Sequence, residues 1–167
     1  MLWDIDYTLL NAGGVGRVAY VSVFRDLFGR DPQGLASMAG RTERAIIGET
    51  LAMAGISDPA RHVDEFVAEL TRRAPDLRAM FAARGHVLPG ASEALAAVAA
   101  LGPGVLQSVL TGNVPAIAEA KLRRSGSTAT STSMSEPTAT TTRSGRSWST
   151  WPADAPARRT GGTSAGR

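Results

Sequence analysis

Apolar residues recur at three- and four-residue spacing over much of the first half of the chain, which is typical of amphipathic helices. Glycines at positions 29, 40, 55 and 85 separate the segments that carry this spacing. The apolar positions that predict successive helices are Val18, Val21, Phe24, Leu27 and Phe28, then Ile46, Ile47, Leu51 and Met53, then Phe66 and Leu70, and finally Leu77, Met80 and Phe81. This pattern predicts several helices between about residues 15 and 85.

Two shorter apolar runs, "MLWDID" and "GVLQSVLTGN", predict buried strands that end in polar residues. Between them, "VLPGASEALAAVAALG" predicts a turn and a helix that begins near Gly90 or Ser92. After them, "VPAIAEAKLRR" predicts a helix with Pro115 in its first turn. The order strand, several helices, strand, helix predicts an α/β fold with a parallel sheet, whose carboxyl strand ends collect polar side chains.

Residues 125–167 have a different composition. They contain no Leu, Ile, Val, Phe, Tyr or Lys, and Ser and Thr supply 19 of the 43 residues. Such a segment cannot bury enough apolar area to offset the entropy lost on ordering, so we expect a disordered C-terminal tail.

Composition and charge exclude several classes of protein. The chain has no cysteine, which excludes disulfides and thiolate metal sites and favours a cytoplasmic location. No apolar run is long enough to span a bilayer, so no membrane partner is expected. The net charge of +3 comes from the tail, because residues 1–124 carry 13 basic and 13 acidic residues. This distribution does not favour a nucleic-acid partner.

The two predicted strand ends carry the residues best suited to catalysis. Asp4 and Asp6 follow the first run, where one carboxylate can attack phosphorus and the other can act as general acid and base. Thr111, Gly112 and Asn113 follow the second run and offer a hydroxyl and backbone N–H groups to phosphate oxygens. A divalent cation would offset the repulsion between the charges.

The stretches "DIDYTLL" and "VLTGN" resemble the first two motifs of the haloacid dehalogenase-like hydrolases, with Tyr7 where that pattern frequently has glycine. The resemblance implies a Rossmann-like parallel-sheet core, here incomplete, formed by residues 1–12 and 86–124. It further implies an all-helical cap at residues 13–85, as in phosphoglycolate phosphatase-like members. By this resemblance Asp4 is the nucleophile, Asp6 the acid/base, and both bind Mg²⁺. Thr111 is then a phosphate ligand and Lys121 a candidate for the phosphate-binding lysine.

The resemblance implies a Mg²⁺-dependent phosphatase of a small phosphorylated metabolite, acting through an aspartyl-phosphate. Two alternatives stay open: a 2-haloacid dehalogenase, against which Asp6 argues, and a non-catalytic remnant or binding module. Some of the residues also have ordinary structural interpretations. Lys121 fits a solvated helix face, and Arg41 and Thr42 could contact substrate or, for Thr42, only cap a helix.

Two hypotheses account for the Ser/Thr-rich tail: a natural linker, or a change of reading frame, which the abrupt start of the tail favours. If the original frame lay one nucleotide earlier, serine codons would become codons for Phe, Leu, Ile or Val, and threonine codons would become codons for Asp, His, Asn or Tyr. The tail can then be read as an apolar run, an acidic Gly-Asp-Asp loop and an amphipathic helix, which resembles the family after its second motif. As written, the chain is therefore expected to be a truncated and impaired hydrolase.

Overall fold

The computed structural model describes residues 1–123, which form a mixed α/β fold. In chain order the elements are β1 (Leu2–Trp3), β2 (Leu10–Asn11), α1 (Val15–Phe28), α2 (Glu43–Met53), α3 (Pro59–Arg72), α4 (Ala74–Arg84), β3 (His86–Val87), α5 (Ala91–Ala99), β4 (Ser108–Val109) and α6 (Pro115–Leu122). The predicted α/β class and order of the main elements are confirmed.

Strands β1 and β4 are paired in parallel, with Leu2 opposite Ser108 and Trp3 opposite Val109. Parallel pairing brings the carboxyl ends of both strands to one edge, although the two strands are separated by about a hundred residues of chain. The sequence therefore delivers the residues that follow β1 and β4 to the same place.

A second ladder, formed by β2 and β3, lies where the helical segment leaves and returns. Leu10 is opposite Val87 and Asn11 is opposite His86, in antiparallel register. The helices α1 to α4 all fall between these two strands. At the crossing the chains are so close that a β-carbon on Gly13 would lie 2.3 Å from the Arg84 carbonyl oxygen. The boundaries of the predicted cap, residues 13–85, stay a prediction.

One apolar cluster joins the helical segment to α6. Its buried members come from α1 to α4, from the loop residue Ala36 and from the start and body of α6: Val15, Ala19, Tyr20, Val23, Phe24, Ala36, Ile46, Ile47, Leu51, Ala54, Phe66, Leu70, Leu77, Phe81, Val114, Ile117 and Ala120. Two members of the apolar stripes that predict these helices face solvent, since Val18 is 44% exposed and Met53 is 52% exposed. The helical segment thus packs directly on the helix that follows the second motif.

The parallel strand pair is buried on one face only. Trp3 donates a hydrogen bond from Nε1 to Gln107 Oε1 (2.8 Å), and Gln107 Nε2 donates to the Leu95 carbonyl of α5 (3.1 Å). On the opposite face Leu2, Leu106 and Leu110 are 58%, 71% and 66% exposed. The prediction of buried strands therefore holds for the face that α5 covers and is wrong for the other face.

Several sequence-based expectations fall outside the described residues. These are the disordered tail at residues 125–167 and the last residue of the predicted core, position 124. Among the helices within residues 1–123, none is long and apolar enough to cross a membrane.

Candidate active site

The loop that follows β1, residues 4–9, forms a sharp turn; we call it the first site loop. The Ile5 carbonyl accepts hydrogen bonds from the amides of Leu9 (3.0 Å) and Leu10 (3.1 Å), and the Tyr7 amide donates to the Leu10 carbonyl (2.9 Å). Ile5, Leu9 and Leu10 are buried and anchor the loop, while Tyr7 is 75% exposed. Tyr7 has φ +60°, the left-handed conformation that favours glycine. The loop therefore adopts a glycine-type conformation with a tyrosine in place.

Asp6, Asn113 and Lys121 form a hydrogen-bonded cluster at the carboxyl ends of β1 and β4. Lys121 Nζ donates to Asp6 Oδ1 (2.8 Å), to Asp6 Oδ2 (2.7 Å) and to Asn113 Oδ1 (2.6 Å). Asn113 Nδ2 donates to Asp6 Oδ2 (2.8 Å) and to Thr111 Oγ1 (2.7 Å). The structure thus brings together four of the residues singled out from the sequence.

Lys121 is buried, with a relative exposure of 6%. It lies on α6, and its Nζ is 5.9 Å from the centre of the Phe81 ring on α4. The interpretation of Lys121 as a solvated surface residue is therefore wrong. A buried lysine needs a charge partner, which Asp6 supplies. Its role in phosphate binding stays a prediction.

Asp4 is exposed, and the described residues give its carboxylate a single hydrogen bond, from the Ile5 amide to Oδ1 (2.8 Å). Thr111 Oγ1 accepts from the Asn113 amide (3.2 Å) and from the Asn113 side chain, while no acceptor for its hydroxyl proton occurs within residues 1–123. A carboxylate and a hydroxyl donor are thus accessible beside the cluster.

Arg41 and Thr42 lie near the loop that follows β4, but their side chains have other partners. Arg41 forms an ion pair with Glu49, and Thr42 is the N-cap of α2, where its Oγ1 accepts from the Ala45 amide (3.4 Å). Their backbone packs against Gly112: a β-carbon there would lie 2.5 Å from the Arg41 carbonyl oxygen. The helix-capping interpretation of Thr42 is confirmed, and a substrate contact by either side chain stays a prediction.

Glu43 and Tyr20 were not selected from the sequence, yet Glu43 contacts the second site loop, residues 111–114, and Tyr20 contacts Glu43. Tyr20 Oη is 3.0 Å from Glu43 Oε1, and the Val114 amide donates to Glu43 Oε2 (3.4 Å). Burial raises the pKa of Glu43 despite the opposing attraction of Lys121. Burial, and then the neighbouring Glu43 carboxyl group, raise the pKa of Tyr20. An acidic residue in the first turn of a helix ordinarily interacts favourably with the helix dipole. Glu43 therefore has a local explanation, and its contact with the loop could not be predicted from the sequence.

No group of three or more His, Cys, Asp or Glu side chains that could hold a metal ion occurs within residues 1–123. Asp4 and Asp6 offer carboxylate oxygens of the kind that Mg²⁺ prefers. Asp6 already accepts two hydrogen bonds from Lys121. The chemistry of this donor set fits a hard divalent cation, and the described part of the chain supplies only two carboxylates for it.

The site thus places two aspartates after one parallel strand of an α/β fold, with Asp6 bonded to Asn113 and Lys121, which follow the other strand. The sequence model of the haloacid dehalogenase-like hydrolases matches residues 1–150. The chain belongs to that family. No curated protein matches the chain.

Proposed function

We propose that the chain is built as a Mg²⁺-dependent phosphatase of small phosphomonoesters in the cytoplasm. The observation that carries this proposal is the accessible Asp4 carboxylate beside the Asp6–Asn113–Lys121 cluster, at the meeting point of two parallel strand ends. Family membership supports hydrolase chemistry. The hydroxyl, amide and ammonium donors of Thr111, Gly112, Asn113 and Lys121 favour a phosphoryl group as the substrate centre.

In the first step an Asp4 oxygen attacks phosphorus and the bond from phosphorus to the leaving-group oxygen breaks. Asp6 donates a proton to that oxygen, which leaves as an alcohol. In the second step Asp6 takes a proton from water, whose oxygen attacks phosphorus and releases inorganic phosphate from Asp4. Lys121 and Thr111 hold phosphate oxygens through their N–H and O–H groups.

Bound Mg²⁺ would neutralise part of the phosphoryl charge and limit repulsion between that group and the aspartates. Asp4 and Asp6 are the residues that would hold it. In its ion pair with Lys121, Asp6 is less available as a metal ligand, so substrate phosphate has to draw the lysine away from it. A third carboxylate ligand would have to come from outside residues 1–123, because the described part has no group of three acidic or other ligating side chains.

We further propose that the reading frame changed near codons 123 to 126 and removed such a ligand. The Ser/Thr-rich composition after residue 124 supports this proposal. The family match weighs against it, because that match continues to residue 150. Resequencing the gene across these codons tests it directly, and an unchanged frame in independent templates would refute a sequencing error.

The activity test compares the 167-residue chain with a frame-restored chain on a generic aryl phosphate in millimolar Mg²⁺. In the restored chain we expect Asp4→Asn to abolish phosphate release, and Asp6→Asn to lower turnover about 10²–10⁴-fold. Asp76→Asn, an exposed acid in the first turn of α4, is the control and should leave turnover unchanged. Retained activity in Asp4→Asn would rule out the nucleophile. Equal activity and Mg²⁺ stabilisation in both chains would rule out the frame change.

A further inference from the structure

Glu43, the first residue of α2, is buried at the junction between the helical segment and the second site loop, residues 111–114. We propose that Glu43 is a positioning residue: through its backbone and its side chain it holds the 111–114 loop in the conformation that presents Thr111 and Asn113. This inference rests on the proposed function for its catalytic meaning, and on the contacts of Glu43 for its structural meaning.

Three contacts fix Glu43 between the two parts of the molecule. Its backbone amide donates to the Gly112 carbonyl (2.7 Å), and its Oε2 accepts from the Val114 amide (3.4 Å). Its Oε1 lies 3.0 Å from Tyr20 Oη, on α1. Glu43 therefore contacts the loop on both sides of Asn113, and α1 supports it from behind.

The Tyr20 hydroxyl has two acceptors on Glu43. Tyr20 Oη donates to Glu43 Oε1 at 3.0 Å or to the Glu43 carbonyl oxygen at 3.3 Å, so a side-chain amide at position 43 could donate to Tyr20 Oη while the tyrosine hydroxyl donates to that carbonyl. Oε2 still accepts from the Val114 amide. The charged groups that face Glu43 are Lys121, which favours the carboxylate, and Asp6, which opposes it; burial also opposes it and is the strongest influence. A neutral amide should therefore replace this carboxyl group well.

The consequence for the site is carried by Asn113, which lies between the two loop residues that Glu43 contacts. Asn113 donates to Asp6 and Thr111 and accepts from Lys121. A displacement of the Gly112 carbonyl or the Val114 amide moves the Asn113 side chain, because Asn113 lies between these two residues in the chain. Docking of α2 thus determines where the polar groups of the loop lie relative to Asp6.

The test uses the full 167-residue chain and the ¹H–¹⁵N signals and hydrogen-exchange rates of the Asn113 and Val114 amides. Glu43→Ala should shift both signals and speed exchange of the Val114 amide about tenfold or more, because that amide loses its acceptor. Glu43→Gln should keep exchange within about threefold, since its amide group can accept from Val114 and donate to Tyr20. Tyr20→Phe should give an intermediate effect. Thr50→Val, which removes a buried hydrogen bond to the Ala36 amide elsewhere on α2, is the control and should leave both signals in place.

Two results would overturn the proposal: Glu43→Ala leaving the Asn113 and Val114 amides unchanged, or Glu43→Gln acting like Glu43→Ala. If Glu43→Ala fails to fold, Tyr20→Phe and Glu43→Gln still decide between the outcomes. These measurements need no turnover, so an inactive chain with the expected amide changes separates failure of the proposed function from failure of this inference. In a frame-restored active chain, we expect Glu43→Ala to lower kcat and Glu43→Gln to retain it.

Discussion

The ion pair between Lys121 and Asp6 gives the sharpest stability prediction. We consider Lys121→Met, which keeps the length and apolar body of the side chain and removes the charge. The lysine is 6% exposed, whereas the Asp6 side chain is 32% exposed. The variant therefore leaves a carboxylate that water can partly solvate, while the reciprocal change Asp6→Asn leaves an ammonium group that water can hardly reach.

The magnitude follows from the separation and the burial. Two unit charges at the printed N–O distance of 2.7 Å attract by about 6 kcal/mol at an effective dielectric constant of about 20, and by about 1.5 kcal/mol in water. Desolvation of the lysine removes several kcal/mol of that gain. Partial exposure of Asp6 lowers the loss further, so we expect Lys121→Met to reduce the free energy of unfolding by about 2–3 kcal/mol. Asp6→Asn should cost more, about 3–5 kcal/mol, because it leaves the nearly inaccessible lysine charge without its partner.

A double-mutant cycle measured by urea unfolding checks the reasoning. Each single variant leaves one unpaired charge, and the double variant leaves none. The loss in free energy of unfolding in the double variant should therefore be about 1–3 kcal/mol smaller than the sum of the losses in the two single variants. Arg17→Met, an exposed cation on α1, is the control and should change stability by less than about 0.5 kcal/mol. If the effects of Lys121→Met and Asp6→Asn on the free energy of unfolding are additive, the two side chains are not energetically coupled and the reasoning is refuted.

Three further predictions use the same unfolding assay. Tyr7→Gly should raise the free energy of unfolding by about 0.5–1 kcal/mol, because φ is +60° and the side chain is exposed; a loss would contradict this. Gly112→Ala should cost about 1–3 kcal/mol, because its methyl group would lie 2.5 Å from a backbone carbonyl oxygen, whereas Gly104→Ala, with no atom within 4 Å, should not show that cost. Hydrogen bonds from Arg72 and Arg73 lower the pKa of Glu69 from 4.5 to about 2. Ionised Glu69 therefore contributes to the free energy of unfolding above pH 4.5, and this contribution is lost as pH falls toward 2. In Glu69→Gln, the free energy of unfolding should depend less on pH between these values.

The positions of the helices and of the paired strands could be predicted because local patterns determine them. Pro115 lies at the start of α6 and Gly90 at the start of α5, as their backbone preferences require. The exposed Val18 was misassigned because three- and four-residue spacing fits two neighbouring faces of α1, and the smaller Ala19 belongs to the buried one. The β2–β3 ladder was missed because two-residue strands leave no periodicity to read.

The site residues at the strand ends could be predicted from the sequence, whereas those positioned by contacts between distant segments could not. Asp6 and Asn113 follow apolar runs, so their meeting follows from parallel pairing. The burial of Lys121 depends on how α6 packs against α4. Ile117 and Ala118, one turn before Lys121, place it on the apolar face of α6, a signal in the sequence that the solvated interpretation overlooked. Glu43 was missed because its contacts reach across 71 residues to Val114, a separation that no local pattern encodes.

The uncovered face of the β1–β4 sheet connects the fold with the composition of the rest of the chain. Parallel sheets occur almost only with both faces covered, yet Leu2, Leu106 and Leu110 are mostly exposed on one face. Residues 124–167 contain no Leu, Ile, Val or Phe with which to bury these leucines. A tail read one nucleotide earlier would regain such residues, because serine codons then become codons for large apolar side chains. Within residues 1–123, the exposure of these leucines supports the proposed frame change by an observation separate from the number of acidic residues at the site.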